Sequence, residues 1–149
     1  MRVTGTPGTL KYQVCVAVAM YTFVVGVDTD AERARRQAET VAALPLTTES
    51  VTVVLLHAFE EENSAGGTVE QVKPVREARD RLEEAGFDVR AEGYGGDPAT
   101  AILNVADSHD ADQIVVAGRK RSPTGKALFG STTQDVVLGT DRPVLVCDG

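Results

Sequence analysis

The sequence predicts an α/β domain built on a doubly wound parallel sheet with helices on both faces. Short apolar runs alternate along the chain with segments whose apolar residues recur at helical spacing, in the order β-α-β-α-β-α-β-loop-α-β. The run "VTVVLLHA" at residues 51–58 holds almost no polar residue, which is typical of a strand covered on both faces. Strands of this kind, joined by right-handed helical crossovers, form a parallel sheet.

The first half of the chain begins with a buried strand over Tyr21–Val27. Thr29-x-x-Glu32 fits a capping box, so we expect a helix to begin directly after this strand and to end at Pro45. The apolar run described above follows it. The polar stretch "EEENSAGG" at residues 60–67 then predicts a solvated loop.

The second helix is predicted from apolar residues at helical spacing, with Pro74 in its first turn and Gly86 at its end. Residues 87–92 alternate in polarity, which is typical of an edge strand. Asp97 followed by Pro98 predicts the cap and the first residue of a third helix.

The last part of the chain predicts two more strands and one more helix. Gln113–Ala117 is a short buried strand, and residues 142–147 ("RPVLVC") form the final one. Between them, Ser131-x-x-Gln134 fits a second capping box and predicts the start of a helix that Gly139 ends. The residues expected in the core are Phe23, Val25, Val41, Val53, Leu55, Leu82, Ile102, Ile114, Val116 and Leu145.

Residues 20–149 are predicted to form one domain, preceded by an extension at residues 1–19. The stretch "YQVCVAVAMYTFVVGV" follows two basic residues and mimics a signal peptide, but it carries no clean small-residue cleavage site. Its second half is also needed as the first strand. We therefore expect Met20 to be the natural start of the protein.

Composition limits the classes of partner and site. The formal net charge of -7 argues against nucleic acid and anionic membranes, since both require a broad positive field. Cys15 and Cys147 are too few for a disulfide framework or a metal cluster, so we expect reduced thiols in the cytoplasm. His57 and His109 are expected to be ordinary strand-end and loop residues, because a metal site or a Ser/His/Asp triad needs more partners.

The stretch "VVAGRKRSPTGKALFGSTTQ" at residues 115–134 inverts the charge of the chain. It holds no acidic residue from position 118 to position 134, and its basic residues are Arg119, Lys120, Arg121 and Lys126. It is not a Walker A loop, because Lys120 stands where a glycine is required and Ala127 follows Lys126. The dinucleotide fingerprint G-x-G-x-x-G is also absent after the first strand.

The pair Gly130-Ser131 favours a phosphate site, because the N-terminal amides and partial positive charge of a helix suit an anion. The alternative is a solvated basic loop with a capped helix behind it. If the first and fourth strands are neighbours where the winding reverses, Asp28 and Gly118 face each other across the ligand crevice of such sheets. Asp28 would then accept hydrogen bonds from a ribose or an adenine amine. Its alternative role is to cap the next helix.

Four segments together resemble the universal stress protein family: "VVGVDTDAERARRQA", "VTVVLLHAFE", "GDPATAILNVADSHDADQIVVAGRKRS" and "FGSTTQDVVLGTDRPVLV". The likeness covers residues 21–148. It implies an adenine-nucleotide alpha-hydrolase-like fold, with a five-stranded sheet in the order 3-2-1-4-5, and a homodimer. One branch of the family binds ATP through a G-x2-G-x9-G-S/T motif after the fourth strand, whereas a second branch lacks both the motif and ATP.

Carried over position by position, the resemblance implies a site for ATP, with Mg²⁺ as its counter-ion. Asp28 corresponds to the aspartate that reaches the adenosine, and Ala58 to the backbone that contacts adenine. The whole site consists of Val27, Asp28, Ala58, Ala117, Gly118, Lys120, Arg121, Gly130, Ser131, Thr132 and Thr133. Arg121 replaces the second motif glycine, and the interval from Gly118 to Gly130 is one residue short. Arg121 either blocks close approach of the backbone or contacts phosphate itself.

The expected function is that of a cytoplasmic stress-response protein that binds ATP or a related adenine nucleotide as a signal or structural ligand. We do not expect an enzyme, because no base–nucleophile pair is visible near the loop and the S-G-G-x-D-S loop of related hydrolytic enzymes is absent. The alternative is a homodimeric interaction module of the same fold that binds no nucleotide.

We expect a homodimer through the last strand, because an open sheet leaves an edge and "PVLVC" is too apolar to remain unpaired in water. Antiparallel pairing of Val144, Leu145 and Val146 with their symmetry mates would close that edge. Neither nucleic acid nor a membrane is expected as a partner.

Overall fold

The structure, a computed structural model, describes residues 20–59, 68–118 and 129–147. Three predicted features lie outside the described residues: the extension at 1–19, the loop at 60–67, and the basic stretch from 119 to 128 that includes Lys120 and Arg121. Within the described ranges, none of the helices combines the length and the apolar character needed to span a bilayer.

Five strands and four α-helices alternate along the chain, as predicted. In chain order they are β1 (Tyr21–Val27), α1 (Ala31–Ala43), β2 (Val51–Phe59), α2 (Lys73–Glu84), β3 (Asp88–Gly95), α3 (Pro98–Ser108), β4 (Gln113–Ala117), α4 (Ser131–Gly139) and β5 (Val144–Cys147). Short 3₁₀ turns at Thr48–Ser50 and Val69–Gln71 precede β2 and α2. The final strand begins two residues later than predicted, because its pairing with β4 begins at Ile114 and Val144 and Pro143 has no N–H to donate.

All strand pairs are parallel and the sheet order is β3-β2-β1-β4-β5, so the predicted fold is confirmed. The chain winds outward from β1 through β2 to β3, then returns to the other side of β1 to form β4 and β5. The winding direction therefore reverses between β1 and β4. In such sheets the carboxyl ends of the strands on either side of this reversal border a crevice.

Two apolar layers cover the two faces of the sheet. On one face Phe23, Val25 and Leu55 pack against α1 and α2, and on the other Val54 and Ile114 pack against α3 and α4. The predicted core residues are buried, with one exception. Leu145 is only half-buried, because β5 lies at the edge of the sheet and has β4 as its single neighbouring strand.

The helix α1 begins one residue later than the predicted capping box implies. Its cap is Asp30 rather than Thr29: the Asp30 carboxylate accepts hydrogen bonds from the amides of Glu32 and Arg33, at 2.9 and 3.1 Å. The Arg33 amide, the Arg33 charge and the Glu32 amide together hold the pKa of Asp30 below its ordinary value, against a smaller opposing effect of desolvation. The prediction of a helix start was right, but the prediction of which side chain caps it was wrong.

The helix α4 also begins differently from its predicted capping box. Gly130 is the cap residue and Ser131 is the first helical residue, and among the described residues no side chain accepts a hydrogen bond from the first turn. The other helix signals are confirmed. Asp97 caps α3, Pro74 lies in the first turn of α2, and Gly86 follows α2 with a φ of +98° that favours glycine.

Candidate functional site

A cavity of about 230 Å³ lies at the point where the winding of the sheet reverses. The carboxyl ends of β1, β2 and β4 form its floor, and the first turns of α1, α3 and α4 surround it. Every predicted site residue that the structure describes lines this cavity: Val27, Asp28, Ala58, Ala117, Gly118, Gly130, Ser131, Thr132 and Thr133. The structure therefore brings together residues that are up to about a hundred positions apart in the sequence.

The floor of the cavity depends on a glycine in β1. A Cβ atom added at Gly26 would lie 2.6 Å from Cδ1 of Ile102, so α3 reaches the sheet only because this position has no side chain. The Gly26 carbonyl accepts a hydrogen bond from the Gln37 side-chain amide at 2.9 Å, which ties the same position to α1. Gly26 and Ile102 both line the cavity and were not predicted as site residues.

A buried histidine joins the ends of the first two strands. Nδ1 of His57 lies 2.8 Å from the Val27 carbonyl oxygen, and since that oxygen can only accept, Nδ1 carries the proton. The edge of the His57 ring meets the ring of Phe59 at a centroid distance of 4.9 Å. His57 is thus the strand-end residue that the sequence predicted, and it fixes β1 against β2 just below the cavity. His109 contacts the carboxylate of Glu92 and does not line the cavity.

Three charged side chains form a cluster at the end of β1. One Asp28 carboxylate oxygen accepts a hydrogen bond from the Asp30 amide at 2.8 Å, and the other accepts one from Nε of Arg33 at 2.8 Å. Nη1 of Arg33 lies 3.4 Å from the Asp30 carboxylate. Asp28 therefore does not cap α1 itself, and it lines the cavity as an ionised acceptor held by two donors.

The opposite side of the cavity is formed by the end of β4 and the start of α4. The Thr133 hydroxyl donates to the Ala117 carbonyl at 3.0 Å, and the Gly118 amide donates to the Cys147 carbonyl at 2.6 Å. The first bond ties the first turn of α4 to the end of β4, and the second ties the end of β4 to β5. Because no side chain in the described part of the chain caps this turn, its amides are left for water or for a ligand in the cavity.

Arg33 is the charged cavity residue that the sequence analysis missed. A cation in the first turn of a helix opposes the helix dipole, and this was the available signal that Arg33 has a local purpose. The other missed residues lie at the ends of β1, β2 and β4 or at the start of α3 and carry no comparable signal: Thr29, Leu56, His57, Pro98 and Val116.

A sequence model of the universal stress protein family matches residues 20–148. The chain belongs to this family. The predicted resemblance is confirmed, and the match covers every described residue.

Individual family members show the same relationship over shorter stretches of sequence. A universal stress protein of Mycolicibacterium smegmatis is 36% identical over 73 residues, which is 48% of this chain and 55% of that protein. Universal stress protein MJ0577 of Methanocaldococcus jannaschii is 28% identical over 88 residues, 59% of this chain and 54% of that protein. The chain spans about half the length of these curated relatives.

Solved structures of the family match along most of the chain. A universal stress protein from Archaeoglobus fulgidus superimposes with a TM-score of 0.62 and 28% identity, covering 87% of this chain and 99% of that one. A universal stress protein crystallised in complex with cAMP gives a TM-score of 0.63 and 25% identity, covering 87% of this chain and 97% of that one.

Proposed function

We propose that the cavity binds an adenine nucleotide, with ATP as the favoured ligand, and that the protein uses this ligand as a signal or structural element in a cytoplasmic stress response. The observation that carries the proposal is the first turn of α4. It lines the cavity, no side chain caps it, and it lies beside the reversal point of the sheet. Such a turn combines unpaired amides with a partial positive charge, which suits phosphate.

In this proposal the nucleotide lies across the cavity from β1 to α4. The adenosine lies near Asp28 and Ala58, because the Asp28 carboxylate can accept from hydroxyl or amine groups but repels phosphate. The phosphates lie over Gly118, Gly130 and the amides that follow Ser131. Lys120 and Arg121 lie outside the described residues, but both are basic and follow β4 in the sequence.

A family member with a similar fold supports the class of ligand. The universal stress protein crystallised with cAMP shares 25% identity with this chain along most of its length. That ligand is an adenine nucleotide, although it is not ATP. Mg²⁺ that accompanies ATP is expected to be held mainly by the phosphate oxygens and water, because Asp28 is the one carboxylate among the described residues that line the cavity.

We further propose that the ligand is held rather than turned over. One observation on the described residues supports this. The Thr133 hydroxyl, which lines the cavity, donates its proton to the Ala117 carbonyl and not to a base that would activate it as a nucleophile.

Calorimetric titration of the full chain with ATP, ADP and adenosine tests the proposal. We expect saturable binding of all three, with affinity rising from adenosine to ATP because of the phosphate contacts with α4. Mass spectrometry of ligand released on denaturation would identify a nucleotide retained during purification. An absence of heat and of protection from melting at millimolar ATP would contradict the nucleotide function.

The second candidate is a homodimeric interaction module, and the apolar edge of the sheet favours it. Val144, Leu145 and Val146 are half-buried in β5, the edge strand, and Leu138 in the preceding helix is 85% exposed. We propose that β5 pairs with its symmetry mate in an isologous dimer. Leu145→Lys should yield monomers in light scattering, and a wild-type monomer at micromolar concentration would contradict the dimer. A dimer is compatible with nucleotide binding. If the titrations showed no nucleotide binding, the interaction module would be the proposed function.

A further inference from the structure

Arg33 differs from the other arginines of α1 in where its side chain is directed. Arg35 and Arg36 form pairs one turn apart along the helix, with Glu39 at 3.9 Å and with Glu32 at 2.9 Å. Arg33 instead reaches back past the helix start to the end of β1 and lines the cavity. It is the third residue of the helix, where the positive end of the helix dipole makes a cation unfavourable.

The contacts of Arg33 fix the orientation of one carboxylate. The Asp28 carboxylate is held at one oxygen by Nε of Arg33 and at the other by the Asp30 amide, both at 2.8 Å. An ionised carboxylate has about four acceptor positions, so about two remain after these bonds. Because the Asp28 side chain is 46% exposed and lines the cavity, the remaining positions are accessible to a ligand.

The same contacts reduce the negative charge at this end of the cavity. Asp28 and Asp30 place two carboxylates at the end of β1, and the Arg33 guanidinium lies against both. Without Arg33, an anionic ligand would meet two carboxylates with less positive charge beside them. With it, one net negative charge remains in the cluster. That charge still disfavours a phosphate at this position and favours neutral hydroxyl donors.

A carboxylate held in one orientation, with two acceptor positions left, matches a pair of adjacent hydroxyl groups. We propose that Arg33 is a positioning residue that holds Asp28 for the 2′- and 3′-hydroxyls of a ribose, so that the site selects ribonucleotides over 2′-deoxyribonucleotides. This inference rests on the proposed nucleotide function. It adds to that function a sugar specificity and the residue that sets it.

Calorimetric titrations with ATP and dATP test this role. Wild type should bind ATP roughly tenfold or more tightly than dATP, since one hydrogen bond to a charged group is lost with the 2′-hydroxyl. In Arg33→Ala the Asp28 carboxylate is no longer held by the guanidinium, and the ratio of the two affinities should fall to within about threefold. If Arg33 served only to stabilise the fold, Arg33→Ala would weaken the binding of ATP and dATP in the same proportion and leave the ratio unchanged.

Arg35→Ala is the matched control, because it removes the same charge from the same helix at a position outside the cavity. It should keep the wild-type ratio. Arg33→Lys should weaken ATP binding less than Arg33→Ala does but should still lower the ratio, because an ammonium group keeps the charge without the fixed planar fork.

Equal affinities of wild type for ATP and dATP would overturn the inference while leaving the nucleotide function intact. An unchanged ratio in Arg33→Ala would overturn it in the same way. If wild type bound neither nucleotide, the nucleotide function itself would fail, and this inference would fail with it.

Discussion

Helices α1 and α4 begin on opposite sides of the point where the winding of the sheet reverses. They differ in whether a side chain accepts hydrogen bonds from the amides of the first turn. The first turn of α1 is capped by the Asp30 carboxylate, and the neighbouring Asp28 is held by Arg33 and the Asp30 amide. The first turn of α4 follows Gly130 and has no side-chain cap. The difference separates two tasks within one cavity. The α1 side is internally satisfied and presents a fixed acceptor, whereas the α4 side leaves donors for an anion.

The largest loss of ATP affinity is expected from giving α4 a side-chain cap like the one on α1. Gly130→Asp supplies a carboxylate that can cap the first turn of α4 and that repels a phosphate there. The backbone permits the change, since Gly130 has a φ of -73° and a ψ of 171° that any residue can adopt. We expect ATP affinity to fall by roughly a hundredfold or more while the melting temperature stays the same or rises.

Gly130→Ala is the control for that experiment, because it adds a Cβ atom without a cap or a charge. It should weaken ATP binding less than Gly130→Asp does. If Gly130→Asp bound ATP as tightly as wild type, the first-turn amides of α4 would not be the phosphate site.

A smaller loss is expected from removing the acceptor on the α1 side. Asp28→Ala should weaken ATP and adenosine alike, by about tenfold or somewhat more, because the lost hydrogen bonds go to the nucleoside and not to phosphate. Titration of the variant with both ligands measures this. A loss confined to ATP would show that Asp28 acts on the phosphates and that the orientation of the ligand is reversed.

The smallest effect on binding is expected from Asp30→Ala, which makes α1 resemble α4. The variant should melt at a lower temperature than wild type but bind ATP with nearly the same affinity, because Asp30 caps a helix and does not line the cavity. Asp30→Asn is the matched control, since asparagine can also cap a helix without a charge. A large loss of ATP affinity in both variants would place Asp30 in the site.

The pH dependence of stability gives Asp30 a second test. Its pKa is lowered in the folded protein, first by the hydrogen bond from the Arg33 amide, so folding favours the ionised form. The stability that Asp30 contributes is therefore present at neutral pH and is lost as the pH falls below 3.8, through the lowered pKa. The difference in melting temperature between wild type and Asp30→Ala should shrink over that range and stay constant from pH 5 to pH 8. A difference that grew on acidification would contradict this assignment.

The strands and the fold were predictable because hydrophobic patterns determine them directly. The bounds of β1 and β4 match the predicted runs, and the buried run of β2 indicated a parallel sheet with both faces covered. The residue that caps a helix was less predictable, because a shift of one position changes which side chain meets the free amides. Thr29 and Asp30 are both good caps, and only the backbone at the helix start decides which side chain meets the free amides.

The same limit applies to the cavity and to the sheet edge. Arg33 lines the cavity because its side chain extends back to Asp28 and Asp30 at the end of β1, and a cation in the first turn of a helix signals such a contact only indirectly. The sequence pattern predicts Leu145 as a core residue. Its burial also depends on the number of strands beside β5, and β5 has β4 as its single neighbour in the sheet. Local patterns identify elements, whereas contacts across elements decide which side chains remain available for function.

The most direct test of the account is the response of individual backbone amides to nucleotide, measured by ¹H–¹⁵N correlation spectra of the full chain. On addition of ATP, the amides of Ser131, Thr132 and Thr133 should shift strongly, and adenosine should move them much less. The amides of Glu32 and Arg33 should move little with either ligand, because the Asp30 carboxylate already accepts from them. Shifts at the start of α4 that were absent with ATP, or equal with ATP and adenosine, would contradict the assignment of this turn as the phosphate site.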